Sequence, residues 1–87
     1  DLLARLNLWT FDLPGLAALL REDRPPMCKF SLRSSGDLDL RGIAADLDGG
    51  GHFNAAGGTL RMPLEQAGQV LLNHIGRYLD DLKNSVR

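Results

Sequence analysis

The sequence predicts a small layered domain of the α/β or α+β class, a central mixed β-sheet packed with helices. Three observations predict it. Cys28, Phe30 and Leu32 alternate with Lys29, Ser31 and Arg33, the period of two that marks a half-buried strand. Leu64, Ala67, Leu71, Ile75, Tyr78 and Leu82 recur at spacings of three and four, the stripe of an amphipathic helix. The 87 residues suffice for one modest core, so residues 1–87 read as a single domain.

Taken in order, Leu2, Leu3 and Leu6 stand at helical spacing and predict the end of a helix over residues 2–7. Asn7 to Pro14 reads as irregular, with a turn between Asp12 and Gly15. The run Leu16 to Glu22 is made of good helix formers. It is short, however, and Pro14-Gly15 and Asp23-Arg24-Pro25-Pro26 punctuate its ends, so a buried strand fits equally well. Met27 to Ser34 is a strand whose core face carries Cys28, Phe30 and Leu32, and Cys28 is there for packing rather than as a nucleophile. Ser35-Gly36-Asp37 is a turn and Asp39 an N-cap for a short helix burying Leu40, Ile43, Ala44 and Leu47. Gly49 falls where a left-handed residue closes that helix. A short helical turn is expected over Asn54 to Ala56, then a brief strand over Thr59 to Met62. Pro63 opens the last helix at its first position, Gly68 and Gly76 weaken it or allow close packing, and His74 reads as a boundary residue.

Composition narrows the function. Hydrophobic residues make up 44% and charged residues 24%, ordinary for a globular domain. The formal net charge of -1 leaves any nucleic-acid contact to a local cluster of cations. The one cysteine, Cys28, cannot form an internal disulfide, which fits a reducing compartment and a cytoplasmic location. No apolar run approaches the ~20 residues of a membrane span, so no membrane partner is expected. The chain begins at Asp1 without a methionine and reads as a piece of a longer protein.

The chemistry centres on the run Leu47-Asp48-Gly49-Gly50-Gly51-His52-Phe53-Asn54-Ala55-Ala56-Gly57-Gly58. A core has no use for so much glycine, which contributes no packing and loses the most backbone entropy on folding. Contiguous glycines let backbone N–H groups approach a ligand, and such nests bind anions. No Gly-Lys-Ser/Thr follows, so this is not the phosphate loop of the nucleotide triphosphatases, and the glycine spacing is not that of a dinucleotide fold. His52 and His74 are far apart and there is one cysteine, so no metal set and no catalytic set stand out. What remains is an anion-binding group: the N–H groups of Gly49, Gly50 and Gly51, the imidazole of His52 and the guanidinium of Arg33. Ser34 can add a hydroxyl, and Asn54 can cap the next turn or read a polar group of the ligand. This supports binding better than catalysis.

Three stretches make the chain recognisable: Lys29-Phe30-Ser31-Leu32-Arg33-Ser34, Asp39-Leu40-Arg41-Gly42-Ile43-Ala44, and Gly49-Gly50-Gly51-His52-Phe53-Asn54-Ala55-Ala56-Gly57. Over residues 29–58 the chain resembles the C-terminal DHH-associated domain of the DHH phosphoesterases. That group includes the RecJ-like exonucleases, the oligoribonucleases that also dephosphorylate 3′-phosphoadenosine 5′-phosphate, and the cyclic dinucleotide phosphodiesterases. The family often carries four glycines before the histidine; here Asp48 takes the first place and is expected to point away from the site.

The resemblance implies that Leu16 to Glu22 is a strand joined to the next by a hairpin. It implies that the manganese ions and catalytic residues belong to a separate N-terminal DHH domain, with no cofactor in this chain. Arg33 and His52 match the residues that contact the substrate phosphate and nucleotide, and the glycine backbone borders that site. The function implied is to hold a nucleotide or short oligonucleotide phosphate for the DHH catalytic domain, this chain alone binding weakly and hydrolysing nothing. Two other readings remain: a stand-alone module for single-stranded nucleic acid, which the near-neutral charge disfavours, and a regulatory domain for a cyclic dinucleotide.

Overall fold

A computed structural model describes residues 8–85. The helix expected over residues 2–7 lies outside the described residues. The elements run β1 (Leu8–Leu13), β2 (Leu16–Glu22), β3 (Cys28–Ser34), α1 (Arg41–Asp46), β4 (Gly50–His52), β5 (Ala55–Leu60) and α2 (Leu64–Ser85). This is the expected α+β domain, with one correction: the sheet, in the order β1-β2-β3-β5-β4, is antiparallel throughout rather than mixed. Short links reverse the chain at Pro14-Gly15, between Glu22 and Cys28, and at Phe53-Asn54. Parallel pairing at those three places would need crossover connections of roughly a dozen residues, which these links cannot supply; β5 meets β3 antiparallel because the chain crosses through α1 to β4 and the β4–β5 hairpin turns it back between them.

The residues alone leave the class of β2 open; the structure gives the strand and hairpin that the family resemblance implies. β2 lies between β1 and β3, with Leu16, Ala18 and Leu20 buried on one face. A seven-residue helix would leave its ends unsatisfied, whereas a central strand satisfies both edges. β1 stands where irregular chain is expected. Trp9, Phe11 and Leu13 do alternate there, and Trp9 and Phe11 stack at 6.1 Å on the core side. Leu8 adds an apolar residue out of phase and hides the alternation.

Two further expectations change at the glycine run. Ala55 and Ala56 belong to β5 rather than to a helical turn, and β5 covers Ala55–Leu60 instead of Thr59 to Met62. Alanine favours helix locally, but pairing with β3 on one side and β4 on the other overrides that small preference. β4 itself is a strand inside what reads as a loop.

All the helical cover lies on one side of the sheet. Cys28, Phe30 and Leu32 of β3 are buried there as expected, together with Leu40, Ile43, Ala44 and Leu47 around α1 and Ala67, Leu71 and Ile75 of α2. Each such leucine or isoleucine contributes about 1.5–3 kcal/mol by leaving water. Burial, and then the charge of Glu22, push the Cys28 thiol above its ordinary range, in keeping with a packing role. Pro63 accepts the first helical bond from the Ala67 N–H at 2.8 Å, so it caps α2 rather than occupying its first turn. At Gly68 a Cβ would stand 3.3 Å from the Trp9 ring, so the glycine lets α2 lie close on β1. His74 is half-buried, its Nδ1 2.9 Å from the Val70 carbonyl, the boundary position expected.

Candidate functional site

The face of the sheet away from the helices carries the site. In an antiparallel sheet, directly paired residues point to the same side. Arg33 pairs with Ala55, and Ala55 pairs with His52. Arg33 and His52 therefore rise from one cross-strand row with only the Ala55 methyl between them. Two strand spacings separate their backbones by about 10 Å, within the joint reach of a long guanidinium and an imidazole. The neighbouring row runs Ser31, Gly57, Gly50, and two of its three members have no side chain. The result is a shallow cleft of about 260 Å³ lined by Ser31, Arg33, Gly50, Gly51, Ala55 and Gly57.

Both side chains are exposed. Among the described residues the ion pairs are Lys29–Asp23 and Arg41–Asp39, and Arg33 is in neither. β4 is the last strand of the sheet and pairs on one side only. Its other backbone edge is open, and glycines at two of its three positions leave the polar groups uncovered.

The glycines have separate tasks. Gly51 adopts φ +147°, and a Cβ there would meet the Ala56 Cα at 2.5 Å, so this position accepts glycine alone. At Gly49 a Cβ would lie 2.3 Å from the Gly57 carbonyl oxygen. The left-handed residue that closes α1 is Asp48, with φ 60°, and not Gly49. Asp48 N–H donates to Ala45 C=O at 3.0 Å and Gly49 N–H to Ala44 C=O at 2.7 Å, the paired bonds of a Schellman motif. A short polar side chain makes Asp tolerable in this conformation. The Gly49 N–H is consequently engaged with the helix and is not among the donors that face the cleft. Asp48 is exposed and lies beside Asp46, Arg61 and Met62, away from Arg33.

Ser34 and Asn54 come together, but on each other. Asn54 Nδ2 donates to Ser34 Oγ at 2.8 Å, and Ser34 Oγ donates to the Leu38 carbonyl at 2.6 Å. Ser34 N–H also donates to the Asn54 carbonyl at 3.0 Å. The pair clips the end of β3 to the β4–β5 turn, directly behind the Arg33 and His52 row.

A second brace was only partly legible in the sequence. Leu40 flanks α1 and supplies no side-chain cap. The Asp39 carboxylate, one residue earlier, accepts the Arg41 N–H at 3.0 Å and the Arg41 guanidinium at 2.8 and 2.9 Å. Hydrogen bonds from the Arg41 side chain and then its N–H hold the Asp39 carboxyl below its ordinary range. The Arg41 guanidinium lies 5.4 Å over the Phe53 ring, and Leu40 N–H donates to the Phe53 carbonyl at 2.8 Å. Tyr78 of α2 donates its hydroxyl to the Asp39 carbonyl. Burial, then the Asp39 charge, raise the Tyr78 phenol. Helix, turn and cap are thereby tied to the residue next to His52. The sequence signals were Asp39, read as the N-cap but standing one residue before the capping Leu40, and Tyr78 closing an otherwise apolar stripe, where a polar tip usually finds a partner.

Among the described residues no group of three or more His, Cys, Asp and Glu gathers in a way that could hold a metal ion. No described helix is long and apolar enough to cross a membrane.

Comparison with known proteins agrees with this architecture. No curated protein matches the chain. Among solved structures, an exopolyphosphatase-related protein from Bacteroides fragilis is similar, 38% identical over 79% of this chain with a TM-score of 0.71. The chain covers 20% of that protein's length. The DHHA1 domain family matches residues 11–81, from within β1 to near the end of α2, taking in the glycine run and the Arg33 strand. By that match, and by the fold it shares with the solved relative, the chain belongs to the DHHA1 domain family.

Proposed function

We propose that this DHHA1 domain holds the phosphate of a nucleotide or short oligonucleotide for a manganese-dependent DHH phosphoesterase domain. One observation carries the reading: Arg33 and His52 stand in one row on the open face, without partners, over a floor of alanine and glycine. A phosphate seated above Ala55 would take two parallel hydrogen bonds from the Arg33 guanidinium and one from a His52 ring N–H. The Gly50 and Gly51 backbone would border it. Ser34 and Asn54 act as positioning residues, holding the β4–β5 turn against β3 so that the two side chains keep their spacing. On this reading the manganese ions are held by the DHH domain, and this chain contributes only the residues that hold the phosphate.

The test is a titration of the chain with adenosine 5′-monophosphate followed by amide chemical shifts. Shifts are expected on β4 and around Arg33. Arg33→Ala and His52→Ala should each weaken binding by about tenfold or more, since a charge-assisted phosphate contact is typically worth ~1.5–3 kcal/mol. Both variants should melt like the parent, because both side chains are exposed and unpaired. Unchanged affinity in both overturns the assignment. Manganese-dependent hydrolysis by the chain alone would overturn its role as a holding domain.

A further inference from the structure

The open face carries more cation than one phosphate requires. Arg21 of β2 and Lys29 of β3 are directly paired, so their side chains stand together on the same side as Arg33. Like charges placed opposite in a sheet destabilise it. Little offsets this pair: Asp23 lies 3.7 Å from Lys29, but both ends are exposed, and such contacts contribute little. Asp12 shares the face but stands in the Arg33 row, at its far end from His52. A groove of about 350 Å³ runs beside the two cations, lined by Leu19, Arg21, Lys29, Ser31, Gly58 and Thr59.

Lys29 and Arg33 lie four residues apart on β3, about 13 Å along the strand. A chain of two or three nucleotides spans that distance, and a single mononucleotide phosphate does not. Between the two cation rows stand Ser31 and Leu19, paired with each other. Leu19 is 41% exposed, an apolar side chain amid charges. A sugar or base could cover it, whereas the phosphates of an inorganic polyphosphate would lose hydration against it without gaining a partner.

We propose that Arg21 and Lys29 form a second phosphate subsite, which engages a downstream phosphodiester of a single-stranded oligonucleotide whose first phosphate sits at Arg33 and His52. The subsite rests on the reading of that first position. It makes affinity depend on chain length, through a pair of cations of which Lys29 lies in the β3 stretch that carries the family resemblance and Arg21 lies outside it on β2.

The experiment compares adenosine 5′-monophosphate, 5′-phosphorylated triadenylate and inorganic tripolyphosphate on the parent chain and on the Arg21→Ala/Lys29→Ala double variant. The trinucleotide should bind the parent more tightly than the mononucleotide does. The double variant should lose about fivefold to tenfold for the trinucleotide and nothing for the mononucleotide. Its salt dependence for the trinucleotide should flatten by about 0.7 in log–log slope, one single-strand phosphate contact. Its melting temperature should match or exceed that of the parent, since a repulsion is removed. Arg77→Ala, an equal charge loss on exposed α2, should leave every affinity unchanged. Equal losses for mono- and trinucleotide, or no loss for the trinucleotide, overturn the subsite. So does an equal loss for tripolyphosphate, which would make the pair a general anion patch. Arg33→Ala separates the two readings: it should weaken all three ligands, and failure to weaken the mononucleotide overturns the first position instead.

Discussion

Arg33 and His52 are unpaired, whereas Ser34, Asn54 and the Gly49 N–H beside them are engaged. On the proposed reading, that contrast separates residues that meet a ligand from residues used by the fold. Ser34, Asn54 and the Gly49 N–H lie at the same place but bond inward. Asp39 does so most strongly, through Arg41. Because the folded carboxyl is held below its ordinary value of 3.8, its contribution to stability is present above the unfolded value and is lost as pH falls through the folded one. Arg41→Ala should return the Asp39 titration upward toward 3.8, read from side-chain carboxyl shifts, and should loosen the Phe53 turn. A titration that does not move would remove Arg41 as the cause. Legibility at this scale followed chemistry: the guanidinium, the imidazole and the glycines announce an anion, but a hydroxyl or an amide does not reveal whether its partner is a ligand or a carbonyl.

The β4–β5 hairpin and the end of α1 show how elements place the site. Gly51→Ala should cost roughly 1–3 kcal/mol in urea unfolding, because the backbone conformation and the contact with Ala56 both exclude a side chain. Asp48→Gly should stabilise by about 0.5–1 kcal/mol, since the left-handed cost is removed and only part of it returns as unfolded-chain entropy. A destabilised Asp48→Gly would mean that the aspartate makes a compensating contact. β3 and α2 were legible because each buries one face and repeats its period several times. β4 was not, since Gly-Gly-His carries no alternation and becomes a strand only by pairing with β5. The run of helix formers in β2 failed as a guide because neighbouring strands on both sides outweigh a propensity of a few tenths of a kcal/mol.

Across the whole molecule, the helices cover one face of the sheet and leave the other to the cations. Leu71 is fully buried where α2 meets the sheet. Leu71→Ala should therefore lower stability by about 2–5 kcal/mol, a large share of what so small a domain possesses, measured by urea unfolding. A loss below 1 kcal/mol would show that α2 is not the principal cover of the core. Amino-acid order alone determined the residue types of the proposed anion site, the buried face of β3, the stripe of α2 and the kinship to the DHH-associated domains. Those features are local: a period or a motif lies within one stretch of chain. Only the tertiary structure decided that β1 is a strand, that the sheet is antiparallel throughout, and that Arg33 shares a row with His52 while Arg21 meets Lys29. Register between strands joins residues far apart in the chain, and a shift of one residue would send either partner to the opposite face.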